Sequence, residues 1–153
     1  MKVLAVTRTA VVTSHRERFK ALSNFKDVEL TVVAPSCWVE GYRKINTVKQ
    51  PDEAYNLITL PTISWGLPWG TMKNVTYIYR GLDRVIGEVK PDIIDVLEEP
   101  YSFVTAHTLR LKERLCPQAP FIFYSAQNIK KVYPLPFRSA ERYVFNKSNF
   151  SFF

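Results

Sequence analysis

Four short apolar runs, separated by stretches with helical spacing, constrain the fold of this chain more than any other feature. They are dominated by Val, Ile, Leu and Phe and read KVLAVT (2–7), VELTVVAP (28–35), DIIDVLEE (92–99) and FIFYSAQN (121–128). Near-continuous apolar strands that alternate with helices are typical of a parallel sheet with helices on both faces. We therefore predict an α/β fold, a Rossmann-like, doubly wound domain with a mostly parallel sheet.

The segments between these runs have the patterns of amphipathic helices. Ser14 and Glu17 have the spacing of a capping box that would begin a first helix. Apolar residues repeat every three or four positions over 75–89, which predicts a helix that ends before Pro91. Two further helices are predicted, over 100–115 and 138–147.

The segment 36–74 has no clear period and is predicted to be irregular, apart from a short strand over 56–61. Within it, TISWGLPWGT (62–71) holds two Trp, two Gly and a Pro, a composition typical of a structured loop. Trp65 and Trp69 could stack on a sugar ring or enter a membrane interface. Aromatic residues in long loops more often pin the loop to the core, which is the interpretation we favour here.

The length of the chain indicates one domain that spans residues 1–153. Cys37 and Cys116 lie far apart and outside any metal-binding spacing, as expected for a protein of a reducing cytoplasm. No apolar stretch approaches the length of a membrane span. The terminal NFSFF (149–153) would be costly to leave in water, so we expect either a closing strand or a chain that continues into another domain.

The chain is basic, with a formal net charge of +7. Its 21 Lys and Arg residues are scattered, and no recognition helix, zinc finger or RNA-binding signature surrounds them. Nucleic acid is therefore not the expected partner. A phosphorylated substrate or an acidic lipid surface would be attracted by the same charge.

Several well-known catalytic and cofactor motifs are missing from the sequence. It contains no G-x-G-x-x-G, no G-x-x-x-x-G-K-[ST], no G-x-S-x-G, and no Cys or His pair at ligand spacing. We expect no dinucleotide, no metal and no other cofactor in this domain.

Ligands of parallel sheets bind at the carboxyl ends of the strands, and polar residues follow the predicted strands at that edge. The candidates for substrate binding are Arg8, His15, Glu98, Glu99, Gln127 and Asn128. Of Glu98 and Glu99 only one can face a given cleft, because neighbouring strand residues point to opposite sides. That carboxylate could accept a hydrogen bond from a substrate hydroxyl, or the pair could interact with the dipole of the helix after Pro100.

The remaining polar candidates each have a structural alternative. His15 could contact substrate or act as a base, or it could be a solvated residue of the first helical turn. Gln127 and Asn128 could orient a sugar hydroxyl or a phosphate, although Asn is also common in turns. His107 lies in mid-helix beside Arg110 and is assigned no role.

Two longer segments resemble a known enzyme family. KPDIIDVLEEPYS (90–102) and FIFYSAQNIKKVYPLPFRSAERYVF (121–145) are similar to the amino-terminal domain of GT-B glycosyltransferases of family four. In that family a strand ends in Glu-Glu-Pro-Tyr-Ser, and a later one leads through Asn and Tyr-Pro-x-Pro-Phe-Arg to Glu-Arg-Tyr. MKVLAVT and LPTISWG fit more loosely, so the resemblance extends over nearly the whole chain.

The resemblance implies one half of a retaining, metal-independent glycosyltransferase. In such enzymes the front domain binds a glycan or lipid-linked acceptor, and a rear domain binds the nucleotide-sugar donor. The rear domain would follow Phe153, and this fragment alone would be inactive. The enzyme would be cytoplasmic, with possible peripheral contact to the inner membrane face.

The resemblance also assigns roles to single residues. Glu98 and Glu99 would form the acceptor-side strand end, and Asn128 would lie nearest the reacting hydroxyl. Many relatives have His at the position of Asn128 and glycines where this chain has RTAVVTSH. Because an amide cannot act as a general base, the role left for Asn128 is positioning.

A second class of function is also compatible with the sequence. The basic charge and the missing motifs would suit a non-catalytic Rossmann-like binding module for an anionic partner, such as a membrane surface or nucleic acid.

Overall fold

The computed structural model of the protein describes residues 1–40, 42–65, 71–126 and 131–152. Its centre is a sheet of six strands, in which every neighbouring pair is parallel. The spatial order is β10-β9-β8-β1-β2-β5. The strands are β1 (Lys2–Val6), β2 (Glu29–Pro35), β5 (Asn56–Leu60), β8 (Ile93–Val96), β9 (Phe121–Tyr124) and β10 (Phe150–Phe152).

Helices cover both faces of this sheet. They are α1 (Glu17–Ser23), α2 (Leu82–Val89), α3 (Phe103–Leu115) and α4 (Phe137–Lys147). Leu4 and Val6 of β1 pack in a core with residues of α2, α3 and α4, whereas Val3 and Ala5 pack on the other face with Phe19 of α1. The doubly wound α/β fold is thus confirmed, because the central strands are apolar toward both layers.

The segment predicted to be irregular contains one antiparallel hairpin and the first strand of a second. One pairs β3 (Cys37–Glu40) with β4 (Arg43–Asn46), and the other pairs β6 (Thr62–Ser64) with β7 (Tyr77–Tyr79). The short strand predicted over 56–61 is confirmed as β5. Both hairpins extend from the carboxyl edge of the sheet, since β3 follows the end of β2 and β6 follows the end of β5.

The helix predicted over 75–89 is wrong in its first half. Tyr77 and Tyr79 are strand residues, fully buried on the same face of β7. Gly81 then has a φ of +86°, a left-handed conformation that a helix interior excludes, and α2 begins only at Leu82. The apolar spacing suited a helix, but two aromatic residues at a spacing of two suit a strand equally well.

The predicted capping box is also wrong. Ser14 lies in a short 3-10 helix, Thr13–Arg16, and α1 begins at Glu17 without a side-chain cap. The reason is tertiary, since the Arg16 side chain is buried and binds the Glu53 carboxylate at 2.9 Å and main-chain oxygens of Ala10 and Val48. These long-range contacts hold the turn before α1 in its observed conformation.

The later elements agree with the sequence to within a few residues. α3 begins at Phe103 rather than at Pro100, and the Ser102 hydroxyl accepts a hydrogen bond from the Thr105 amide as its cap. The terminal strand is confirmed as β10, which pairs with β9. Cys37 and Cys116 are both free thiols. Among the described residues, none of the helices has the length and apolar character needed to cross a bilayer.

Candidate functional site

The carboxyl edge of the sheet brings four polar residues of three strand ends together. The main-chain N–H of Arg8, after β1, donates to Oε1 of Glu98, after β8, at 2.6 Å. The Ser125 hydroxyl, after β9, donates to Oε2 of Glu99 at 2.7 Å, and the Ala126 amide donates to Oε1 at 3.1 Å. Arg8, Glu98 and Glu99 therefore lie on one rim, as the carboxyl-end rule predicts.

Glu98 is almost fully buried beside two tyrosines of β7. Burial raises the pKa of its carboxyl, while the Arg8 charge and the Arg8 amide oppose this effect. The Tyr77 hydroxyl also interacts with this carboxyl, without a well-formed hydrogen bond. The neighbouring Tyr79 hydroxyl donates to the main-chain oxygen of Thr7 at 2.8 Å. Glu98 thus joins the first loop to the end of β8 from inside the rim.

Glu99 points to the opposite side, toward the end of β9. Its carboxylate is half-buried, and both oxygens accept hydrogen bonds from the segment after that strand. Its main-chain oxygen accepts from the hydroxyls of Ser102 and Thr105 at 2.7 and 2.9 Å. As predicted, neighbouring carboxylates engage different surroundings, and the side-chain cap of α3 is Ser102 rather than either glutamate.

The Arg8 side chain lies in a cluster that the sequence did not indicate. Its guanidinium is 5.5 Å from the centre of the Trp38 ring and 3.6 Å from a carboxylate oxygen of Glu40. The Lys73 ammonium is 4.3 Å from the same ring. We call Arg8, Trp38 and Lys73 the cation–Trp cluster. Its members come from three separate segments, and only the polar rim position of Arg8 gave a signal in the sequence.

The cation–Trp cluster holds two positive charges close to each other. Burial lowers the pKa of Lys73, and the Arg8 charge lowers it further, while Cys37 and Glu40 oppose the change. The Arg8 side chain is only 18% exposed, whereas Glu40 is 57% exposed. Cations on an aromatic ring are stabilised by its quadrupole, so the Trp38 ring offsets part of their mutual repulsion.

One predicted site residue, His15, makes no described contact with this rim. His15 is exposed on the 3-10 helix before α1, where its amide donates to the Val12 oxygen. Gln127 and Asn128 lie outside the described residues, so their placement at the strand end stays a prediction. Of the two loop tryptophans, Trp65 packs edge-on against Phe103 and is half-exposed, and Trp69 lies outside the described residues.

A concave region lies between β7, α3 and α4. This groove of about 790 Å³ is mostly apolar and is lined by Trp65, Phe103, His107, Arg110 and Tyr143, among others. Burial lowers the pKa of His107, which favours the neutral imidazole in the groove. No contact connects His107 to the rim carboxylates within the part of the chain that the structure describes.

Among the described residues, polar and charged groups of the rim and of the cation–Trp cluster lie together at the carboxyl edge of the sheet. Within those same ranges, no group of three or more His, Cys, Asp or Glu side chains could hold a metal ion. The rim presents the Arg8 guanidinium, two carboxyls and a hydroxyl at the strand ends, and Lys73 of the cation–Trp cluster adds an ammonium. Such groups recognise hydroxyls and anions.

Comparison with known proteins identified no family for this chain. A scan against models of protein families matched none of them, and a search of curated proteins found no significant match.

Proposed function

We propose that this domain binds the acceptor of a retaining GT-B glycosyltransferase, and that a second domain binds the nucleotide-sugar donor. The observation that carries the proposal is the convergence of Arg8, Glu98, Glu99 and Ser125 at the carboxyl edge of a parallel sheet. This edge is where such sheets bind ligands. The two glutamates of this rim belong to the Glu-Glu-Pro-Tyr-Ser motif of the resemblance.

In this proposal the domain contributes positioning rather than acid–base chemistry. Glu98 and Glu99 tie three strand ends together, so they keep the rim groups at fixed distances. Gln127 and Asn128 would follow Ser125 toward the reacting hydroxyl of the acceptor. Holding that hydroxyl against the donor sugar converts a bimolecular step into an effectively unimolecular one. In this proposal the acceptor is a glycan or a lipid-linked sugar, and the enzyme works in the cytoplasm at the inner membrane face.

Ligand binding by the isolated chain tests this division of labour. Saturation-transfer NMR with a panel of mono- and disaccharides, and in parallel with UDP- and GDP-sugars, measures the two halves of the proposal separately. We expect the chain to bind sugars. Glu99→Gln should weaken this binding, and Glu88→Gln, on the exposed face of α2, should leave it unchanged. We also expect no sugar transfer by this chain alone.

Two outcomes would overturn the proposal. Transfer catalysed by the isolated chain would contradict the need for a separate donor domain. Binding of acidic vesicles or nucleic acid that weakens steeply with salt, without any binding of sugars, would instead identify a binding module for an anionic partner.

A further inference from the structure

The cation–Trp cluster has hydrogen-bond donors that the described residues leave unpaired. Nε of Arg8 and Nε1 of Trp38 are both buried and have no acceptor among those residues. The Trp38 side chain is 1% exposed. Burying an unpaired donor costs folding free energy, and a ligand that accepts its hydrogen bond is one explanation for such a group.

The charges around these donors point to the same kind of ligand. Arg8 and Lys73 both lie within cation–π distance of one ring, although their charges repel each other. A carboxylate oxygen of Glu40 lies 3.6 Å from the guanidinium, but this side chain is more than half exposed and can move away. A competing anion could therefore reach the guanidinium by displacing the Glu40 carboxylate.

We infer that Arg8, Lys73 and the Trp38 indole N–H bind a phosphate group at the carboxyl edge of the sheet. A guanidinium presents two parallel N–H groups to phosphate oxygens, and an ammonium adds a point charge. The phosphate would take the place of Glu40 and relieve the repulsion between the two cations. That this phosphate belongs to the acceptor, as in a phosphorylated sugar or a lipid-linked phosphate, rests on the proposed function.

The neighbouring carboxyl of Glu98 is already engaged by Arg8. Its Oε1 already accepts the Arg8 amide hydrogen, and its Oε2 is 4.0 Å from Arg8 Nε. Since burial raises the pKa of this carboxyl, an incoming anion makes the protonated form easier still to reach.

Isothermal titration calorimetry of the intact chain tests the site with four ligands. These are a neutral hexose, the corresponding hexose 6-phosphate, inorganic phosphate, and vesicles that contain phosphatidic acid. We expect the hexose phosphate to bind more tightly than the neutral hexose if the acceptor is a soluble sugar phosphate. Tighter binding to the vesicles would assign the phosphate to a lipid.

Substitutions at the cluster should change the affinity for the phosphate-containing ligands and leave the affinity for the neutral hexose unchanged. We expect Arg8→Gln and Lys73→Gln each to weaken phosphate binding about ten- to a hundredfold, the effect of losing one charge-assisted contact. Glu40→Gln should strengthen it, because it removes the competing carboxylate. The matched controls are Arg84→Gln on α2 and Lys26→Gln in the turn before β2, both exposed, which should leave binding unchanged.

The indole N–H resonance of Trp38 gives an independent readout, and Trp38→Phe assigns it. This resonance should shift when phosphate is added to the unsubstituted chain and stay in place in Lys73→Gln. Since Lys73 is only half-buried, this variant keeps the test valid even if Arg8→Gln fails to fold. Equal phosphate affinity in the unsubstituted chain and in Lys73→Gln would overturn the site. Phosphate binding through the cluster without any affinity for sugars would preserve the site and contradict the proposed function.

Discussion

The main-chain N–H of Arg8 donates a hydrogen bond of 2.6 Å to Oε1 of Glu98, although 90 positions separate the two residues in the sequence. The bond connects the loop after β1 to the end of β8. It therefore fixes the point from which the Arg8 guanidinium reaches Trp38. Glu98 acts as a positioning residue for the rim, whatever ligand the rim binds.

Removing the Glu98 carboxyl should destabilise the fold. Glu98→Ala leaves the Arg8 amide without its acceptor, so we expect a loss of about 1–3 kcal/mol in the free energy of unfolding, measured by urea titration. Glu98→Gln keeps an acceptor oxygen and should lose less. Glu88→Ala, exposed on α2, is the control. Equal losses in Glu98→Ala and Glu88→Ala would show that the bond contributes nothing.

Asp95 in the central strand β8 should make stability depend on pH. Burial raises the pKa of its carboxyl from 3.8 to about 6, with a small opposing effect of Arg18. Because the folded state holds this proton more tightly, unfolding free energy should fall as pH rises from about 4 to about 6. Asp95→Asn should abolish this fall and add at most about 3 kcal/mol at pH 7. Urea titrations across pH 3.5–7.5 measure this pH dependence of the unfolding free energy, with Asp27→Asn in an exposed turn as the control.

Two glycines at the start and in the middle of α2 should respond in opposite directions to alanine. Gly81 has a φ of +86°, so Gly81→Ala should destabilise by about 1 kcal/mol through backbone strain. Gly87 lies inside the helix, and nothing is within 4 Å of an added Cβ. Gly87→Ala should therefore stabilise by about 0.5–1 kcal/mol. Thermal unfolding distinguishes them, and stabilisation by Gly81→Ala would contradict the observed helix start.

The buried pair of Arg16 and Glu53 should tolerate joint replacement better than loss of one partner. Arg16→Met leaves the Glu53 carboxylate, which is 3% exposed, without its partner, so we expect a loss of about 3–5 kcal/mol in the free energy of unfolding. The double variant Arg16→Met, Glu53→Gln should recover part of it. A chemical-denaturation double-mutant cycle measures the coupling, and additive losses would mean that the two side chains act independently.

The pair of Arg16 and Glu53 should also make the unfolding free energy decrease in acid. Burial alone would raise the pKa of Glu53, but the Gln50 amide and the Arg16 guanidinium hold it below its ordinary value. The stabilisation is therefore present above the ordinary pKa of about 4.5 and is lost as pH falls through the lower pKa of the folded state. In Glu53→Gln this acid-dependent part of the unfolding free energy should disappear.

Part of the candidate site could be predicted from the sequence. Arg8, Glu98 and Glu99 follow apolar runs, and parallel strands place such residues on one edge. Trp38, Glu40 and Lys73 could not be found in this way. Trp38 and Glu40 lie in the short strand β3, and Lys73 lies in a 3-10 helix, Thr71–Asn74. The local pattern of each of these segments is too brief to identify it. Only the packing of these segments over the end of β1 brings them to Arg8.

The amino-acid sequence by itself determined the parallel sheet, its two helical layers and the edge at which polar residues gather. These features depend on apolar periodicity, which acts within a few residues and so can be read locally. The tertiary structure alone decided where α1 and α2 begin and which side chains surround Arg8. The start of α1 depends on the distant partner Glu53, and the surroundings of Arg8 depend on Glu98, Trp38 and Lys73. Such contacts form only when the chain folds back on itself, and no local pattern encodes them.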